Sequence, residues 1–129
     1  MLYSDGGSRG NPGPAAIGGV LYDPSNAVIA TFSEYIGMHT NNQAEYYALI
    51  RGLNVALQHG VVRLQCLLDS ELVVRQLQFE YKVKDRQLAE LFANVVVLMS
   101  RFESISFHHI PREKNTRADA LVNEALDSQ

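Results

Sequence analysis

The chain has a single cysteine, Cys66, which excludes an internal disulfide and a cysteine-ligated zinc site. It has no run approaching the ~18 consecutive apolar residues of a membrane span. Its N-terminus also lacks a basic region followed by an apolar one, the pattern of a secretory leader. A cytoplasmic protein with no membrane association is the expectation. Basic residues are scarce as well: 11 Lys and Arg stand against 14 Asp and Glu, for a net charge of −3. This excludes a broad basic face that grips nucleic acid through many phosphates, so any such binding has to use local patches. What is present is 129 residues, 47% apolar and 19% charged. That is an ordinary composition for one globular domain spanning 1–129, which by size scaling buries roughly two thirds of its unfolded surface.

The rest of the chain is organised around its first fourteen residues, where apolar Leu2-Tyr3-Ser4 runs into Asp5 and then into Gly6-Gly7-Ser8-Arg9-Gly10. Leu2 to Ser4 read as the end of a strand, with Asp5 at its carboxyl end and the glycines opening a loop. Asn11-Pro12-Gly13-Pro14 reads as a type II turn, Pro12 presetting one dihedral and Gly13 taking the positive one. Ala15 to Asp23 and Ala27 to Ile36, parted by Asp23-Pro24-Ser25-Asn26, are two further strands of an antiparallel meander. From Gln43 to His59, Leu49, Leu53, Ala56 and Leu57 recur at helical spacing, and Gly60 closes the segment.

Arg63 to Leu68 is a short strand that, like the first, ends in an acid, Asp69. Helical spacing returns over Glu71 to Tyr81 and over Arg86 to Arg101, the latter predicted to bury Leu88, Leu91, Phe92, Val95, Val96 and Met99. Phe102 to Ile110 contains a strand, Arg112 to Thr116 is a polar loop, and Ala118, Leu121, Val122, Ala125 and Leu126 stripe a last helix. The order βββαβααβα predicts an α/β layer structure with the first and fourth strands parallel. If they are neighbours, Asp5 and Asp69 lie where connections diverge to opposite sides of the sheet, the place where open α/β sheets hold their ligands.

Four acids carry the chemistry, and each has a plain alternative. Glu45 is either the returning partner of a capping box begun by Asn42 or an acid on the face shared by Leu49, Gly52, Leu53 and Ala56, where its charge needs compensation. Asp69 is either an N-cap or a second site acid. Asp119 matches a capping box begun by Thr116, yet at about 100° per residue it also borders the stripe of Ala118, Val122 and Leu126. Four converging carboxylates raise one another's pKa unless a cation neutralises them. Oxygen-only donors favour Mg²⁺, or Mn²⁺ as a substitute, over zinc. Paired ions of this kind serve in-line displacement at a phosphodiester, so the residues point to a metal-dependent phosphoryl-transfer site.

Tyr3-Ser-Asp5-Gly-Gly-Ser-Arg-Gly-Asn-Pro-Gly-Pro, Thr40-Asn-Asn-Gln-Ala-Glu45-Tyr, Leu68-Asp69-Ser-Glu-Leu-Val and Ile110-Pro-Arg-Glu-Lys-Asn-Thr-Arg-Ala-Asp119 follow one another in an order and spacing that resembles type 1 ribonuclease H across essentially the whole chain. The resemblance implies a ribonuclease H-like fold, a five-stranded mixed sheet of order 3-2-1-4-5 flanked by helices. It implies an endonuclease that hydrolyses the RNA strand of RNA/DNA hybrids with two Mg²⁺ ions, leaving 5′-phosphate and 3′-hydroxyl ends. Asp5, Glu45, Asp69 and Asp119 occupy the positions of that family's catalytic, metal-holding acids.

Asn11, Asn41 and Asn42 resemble its contacts to nucleic acid, turn and cap chemistry being the alternative; Thr40 resembles a holder of a DNA-strand phosphate or is a helix cap. Gly6 opens a loop that lets backbone approach the RNA. Many members carry a basic protruding helix, of which only Lys82, Lys84 and Arg86 remain here, and Lys82 and Lys84 suit an ordinary solvated turn equally well. The family's mobile loop histidine is missing from Pro111 to Asn115, leaving His109 either as an auxiliary group or as a structural edge-strand residue. Arg112, Lys114 and Arg117 flank the same region as candidate phosphate partners. A monomer is expected. The rival readings are a catalytically quiet hybrid- or RNA-binding module and another nuclease of the same superfold.

Overall fold

A computed structural model describes residues 1–129. Its strands are β1 (Leu2–Ser8), β2 (Gly13–Tyr22), β3 (Val28–His39), β4 (Arg63–Leu68) and β5 (Ser104–His109), joined in one sheet of order β3-β2-β1-β4-β5. β1 to β3 form the antiparallel meander, and β4 runs parallel to both β1 and β5. The helices are α1 (Asn41–Gln58), α2 (Glu71–Leu77), α3 (Arg86–Met99) and α4 (Thr116–Asp127). No helix is long and apolar enough to cross a membrane.

α1 begins where its sequence satisfies the first free N–H groups. Thr40 Oγ1 accepts from Gln43 N while Gln43 Oε1 accepts from Thr40 N, a reciprocal capping box. The helix starts two residues earlier than its apolar spacing indicates, and the box closes on Gln43, not Glu45. It ends at His59, followed by Gly60 at φ 74°. Its buried face of Ala48, Leu49, Leu53 and Ala56 packs with Leu2, Ile17, Leu21 and Leu68 into the main core. Each such leucine contributes about 1.5–3 kcal/mol on burial. α3 packs outside α1 and buries only Leu91 and Val95 fully; Val96 is exposed, so its buried stripe is narrower than the sequence predicts. α4 covers the opposite face of the sheet on a small cluster of Ala16, Val122, Ala125 and Leu126.

Several boundaries differ from expectation for identifiable reasons. β1 does not end at Ser4. It continues through Asp5, Gly6 and Gly7 because β2 pairs with it as far as Ser8↔Ala15, and this tertiary pairing overrides the poor strand propensity of glycine. The β1–β2 turn is not type II either. Gly10 takes the positive φ (100°), the Asn11–Pro12 bond is cis, and Gly13 already belongs to β2. α2 stops at Leu77, short of Tyr81, because Phe79 adopts φ 62° and Gln78 Nε2 donates to Phe107 O of β5. The segment Arg112–Lys114 is a 3-10 turn rather than an irregular loop.

Two glycines set how close the acid-bearing helices come. A Cβ on Gly6 would lie 2.2 Å from Ala44 O and 2.7 Å from Glu45 N, and one on Gly18 would lie 2.6 Å from Ala118 O. Gly18 is the cross-strand partner of Asp5. The absent side chains therefore let α1 and α4 settle directly against the sheet on either side of Asp5. Gly6→Ala is expected to push the α1 backbone outward and to destabilise the fold by about 2–3 kcal/mol, read from the urea midpoint. A loss below about 0.5 kcal/mol, the range of an indifferent surface change, would refute this close-packing role.

Candidate active site

β1 and β4 are paired only at Leu2↔Cys66 and Tyr3↔Leu67. Beyond Tyr3 the two strands splay, and the acids collect in the opening. Asp5 stands in the middle of β1, just past the last parallel rung, rather than at the strand's end. Asp69 is the first residue after β4, at a carboxyl end as its sequence position predicts. Glu45, on the second turn of α1, reaches the opening from the side, where its Oε1 accepts from Gly6 N at 3.1 Å. Asp5, Glu45 and Asp69 each offer an oxygen within 4.8 Å of the others. Asp119, on the first turn of α4, lines the same cleft but lies outside that tight group. Its Oδ1 is 3.8 Å from Arg112 Nη2, and its Oδ2 accepts from Asn123 Nδ2 at 3.4 Å.

The plain alternatives for three acids do not hold here. The α1 box uses Thr40 and Gln43. Ser70, not Asp69, caps α2, its Oγ accepting from Val73 N at 3.4 Å. α4 begins at Thr116 with Asn115 in the cap position and no side-chain cap bond, so Asp119 has no box to close. None of the three carboxylates therefore caps a helix.

Electrostatically the group is under tension. Burial raises the Asp5 carboxyl to about 7; Asp69 and Asp119 add to the rise, and a hydrogen bond with Glu45 opposes it. Glu45 is held well above the usual carboxylate range, chiefly by burial and then by Asp5. Asp69 is raised by burial, with Asn115, Arg112 and His109 working against the rise. Asp5 and Glu45 are both buried, and Glu45 Oε2 has no hydrogen-bond partner. Carboxylate oxygens, no sulfur, and one buried oxygen lacking a partner make a donor set suited to a hard divalent cation.

The remaining candidates divide. Gly6, Asn41, Asn42 and Arg112 line the cleft with the acids, together with Arg9, Ser70 and Asn123. Asn11 sits beside it, its Oδ1 accepting from Asn41 N at 3.0 Å, while Asn41 Oδ1 accepts from Ser8 N at 2.8 Å. Thr40 Oγ1 is engaged as the α1 cap. His109 ends β5 opposite Leu68, close enough to Asp69 to act on its charge. Lys82 and Lys84 are exposed in the turn between α2 and α3. Lys114 and Arg117 line a different hollow with Met1, Tyr3, Tyr22 and Asn26, away from the acids. Sequence reasoning missed Asn115, which is 1% exposed and donates from Nδ2 to Asp69 Oδ2 at 3.3 Å. Its signal in the sequence is its place inside the Ile110 to Asp119 motif, in front of a helix that the capping pattern starts at Thr116.

Comparison with known proteins agrees with this geometry. A family model described as reverse transcriptase-like matches residues 3–125. The "Bifunctional protein Rv2228c" of Mycobacterium tuberculosis is 43% identical over 129 residues, which is 99% of this chain and 35% of that protein. The chain thus spans about a third of the length of the first curated relatives it matches. Among solved structures, RNase H1 of the halophilic archaeon Halobacterium salinarum is 44% identical at a TM-score of 0.97, covering 99% of this chain and 97% of that one. LC11-RNase H1, solved in complex with an RNA/DNA hybrid, is 49% identical at a TM-score of 0.94, covering 98% and 96%. With the sheet order β3-β2-β1-β4-β5 and the gathered acids, these likenesses show that the chain belongs to the ribonuclease H family.

Proposed function

We propose that the chain is an endonuclease that hydrolyses the RNA strand of RNA/DNA hybrids, with Asp5, Glu45, Asp69 and Asp119 as its catalytic acids. The observation that carries this reading is the convergence of Asp5, Glu45 and Asp69 oxygens within 4.8 Å at the splay of β1 and β4. These three, with Asp119 on the rim, would hold Mg²⁺, or Mn²⁺ in its place. Bound divalent ions supply Lewis-acid polarisation of the phosphodiester and stabilise the charge that develops on it.

The chain's own groups bind and orient the substrate. The Oδ1 atoms of Asn11 and Asn41 are occupied by backbone N–H groups, which leaves their Nδ2 groups free to donate in or beside the cleft. Donors there suit the 2′-hydroxyls and base edges of a minor groove, and Asn42 adds a third amide. The Gly6 to Gly10 segment allows close approach by the RNA strand. Thr40 would meet a phosphate of the DNA strand through its hydroxyl hydrogen, since Oγ1 only accepts in the α1 cap and the backbone N–H is given to Gln43 Oε1. Arg112, beside Asp119, would pair with a phosphate at the cut, and His109 would assist from the end of β5. Lys82 and Lys84 would steady the duplex at a distance. Two lysines neutralise few phosphates, so hybrid binding is expected to be modest, with a shallow salt dependence. A monomeric, cytoplasmic enzyme in one domain over 1–129 fits a cleft built wholly from one chain and a lone buried thiol.

The test is digestion of an end-labelled uniform hybrid with and without Mg²⁺, beside double-stranded DNA and double-stranded RNA. Cutting only the hybrid's RNA, only with Mg²⁺, and leaving 5′-phosphate and 3′-hydroxyl ends is the expected result. Hybrid binding without cleavage would overturn the assignment in favour of a binding module.

A further inference from the structure

We propose that Asn115 is a positioning residue that holds Asp69 in register with Asp5 and Asp119 at the splay of β1 and β4. The proposal rests on the reading of these acids as cation ligands. Past Tyr3↔Leu67, β4 no longer pairs with β1. The next β1 carbonyl, that of Ser4, instead accepts from Asn115 Nδ2 at 2.9 Å. The same amide nitrogen donates to Asp69 Oδ2 at 3.3 Å. A side chain thus replaces the missing rung of the sheet, and its second hydrogen faces an acid of the cluster. The main chain of Asn115 serves the fourth acid, because its carbonyl accepts from Asp119 N at 3.1 Å. One residue therefore touches the neighbour of Asp5, the Asp69 carboxylate and the turn that carries Asp119.

Its placement excludes the ordinary role for an asparagine in front of a helix. Asn115 holds the cap position of α4 yet makes no side-chain cap bond, although capping is what favours this residue there. Its amide is 1% exposed, so it does not contact solvent or a surface ligand. Two donors suit this location, since both facing atoms are acceptors. An aspartate could not donate and a leucine would leave Ser4 O without a partner. Asp69 is half-buried and follows a strand end, so without this contact its χ angles are fixed by little else. Groups that orient metal-holding carboxylates commonly govern cation affinity by 10–100-fold.

The experiment is calorimetric titration of the whole chain with Mn²⁺ and with Mg²⁺, comparing wild type, Asn115→Ala and Val95→Ala. Val95 is buried in α3, away from the cleft, and this variant controls for a general loss of stability. Asn115→Ala is expected to bind both cations at least roughly 10-fold more weakly. It should need correspondingly more Mg²⁺ for half-maximal cleavage, and keep the wild-type KM for hybrid once metal is saturating. Val95→Ala should keep wild-type cation affinity. Affinity within twofold of wild type in Asn115→Ala, or an equal loss in Val95→Ala, would overturn the positioning role. A wild-type chain that binds neither cation would overturn the metal reading itself, a distinct outcome. If Asn115→Ala does not fold, nuclear magnetic resonance of the wild-type Asn115 side-chain amide decides. Slowly exchanging protons that shift on adding Mg²⁺ support the role, and fast-exchanging protons that stay in place refute it.

Discussion

Asp5→Asn is expected to lower Mg²⁺-dependent cleavage of the hybrid by roughly 10³-fold or more, because the cation-held charge stabilisation at stake amounts to several kcal/mol. Asp5 is the centre of the cluster in space: Glu45, Asp69 and Asp119 all act on its carboxyl. Asparagine keeps the shape and the Gly18 partnership but removes the anionic oxygen. The fold should survive, and in the absence of metal the variant should melt higher than wild type at pH 8. At that pH the wild-type group must carry its charge in a site 7% exposed, and the amide avoids that cost. The two readouts separate a failed site from a failed fold. Wild-type turnover in the variant would remove Asp5 from the chemistry, and a melting point below wild type would show that its charge stabilises the fold.

Much of the fold was legible because its signals are local. Strand-type runs leading into Asp5 and Asp69, helical spacing from Leu49 to Leu57, and the stripe from Ala118 to Leu126 each depend on residues a few positions apart. The parallel pairing of β1 with β4 follows from connection chemistry alone. What was not legible depends on partners distant in the chain. Asp5 sits mid-strand because β2 extends β1 through two glycines, and no property of Gly6-Gly7 announces that. Gly6 and Gly18 look like flexibility in sequence, whereas in space they are the points where α1 and α4 touch the sheet. Capping motifs misled twice. Asn42 with Glu45 and Thr116 with Asp119 have the right spacing, but Thr40 with Gln43 and the 3-10 turn ending at Asn115 prevail. α1 begins where β3 leaves the sheet, and α4 begins where the 3-10 turn after β5 ends, points that neighbouring residues in the sequence do not announce.

The gathering of the acids also explains why their charges have to be offset. Around Glu45, protein groups offer only one donor, Gly6 N, and leave Oε2 unmet. Lys114 and Arg117, both nearer in sequence to Asp119 than Arg112 is, face another hollow. Arg9 is paired with Asp127, and Arg112 approaches Asp119 at 3.8 Å but is largely exposed, too weak an ion pair to settle the cluster. The chain has therefore built a concentration of negative charge that its own cations do not answer, a poor arrangement for stability and a suitable one for holding a divalent ion beside a phosphodiester.

The second large effect is a pH dependence of stability that divalent metal should cancel. Asp5, Glu45 and Asp69 all have folded-state pKa values above their ordinary range, burial being the first cause in each. Between the ordinary carboxylate value and the raised one, the folded chain holds protons that the unfolded chain has released, so stability falls as pH rises through that window. It is fully present below about pH 4 and, for Asp5, is lost on approaching the raised value of about 7. For that single group the loss is on the order of 4 kcal/mol. Because Asp5 and Glu45 act on each other, the loss is counted for Asp5 alone. At roughly 3–4 °C per kcal/mol for a chain of this size, the metal-free protein should melt about 10 °C lower at pH 8 than at pH 5. Saturating Mg²⁺ binds the ionised carboxylates and favours the folded state, so it should raise the pH 8 melting point and leave the pH 5 value almost unchanged. Asp5→Asn should show a shallower pH slope and a smaller response to Mg²⁺. Melting curves at the two pH values, with and without Mg²⁺, suffice to check this. A metal-free melting point that stays level from pH 5 to pH 8 would mean that the three carboxyls ionise without penalty, and the electrostatic case for a cation site would fail with it.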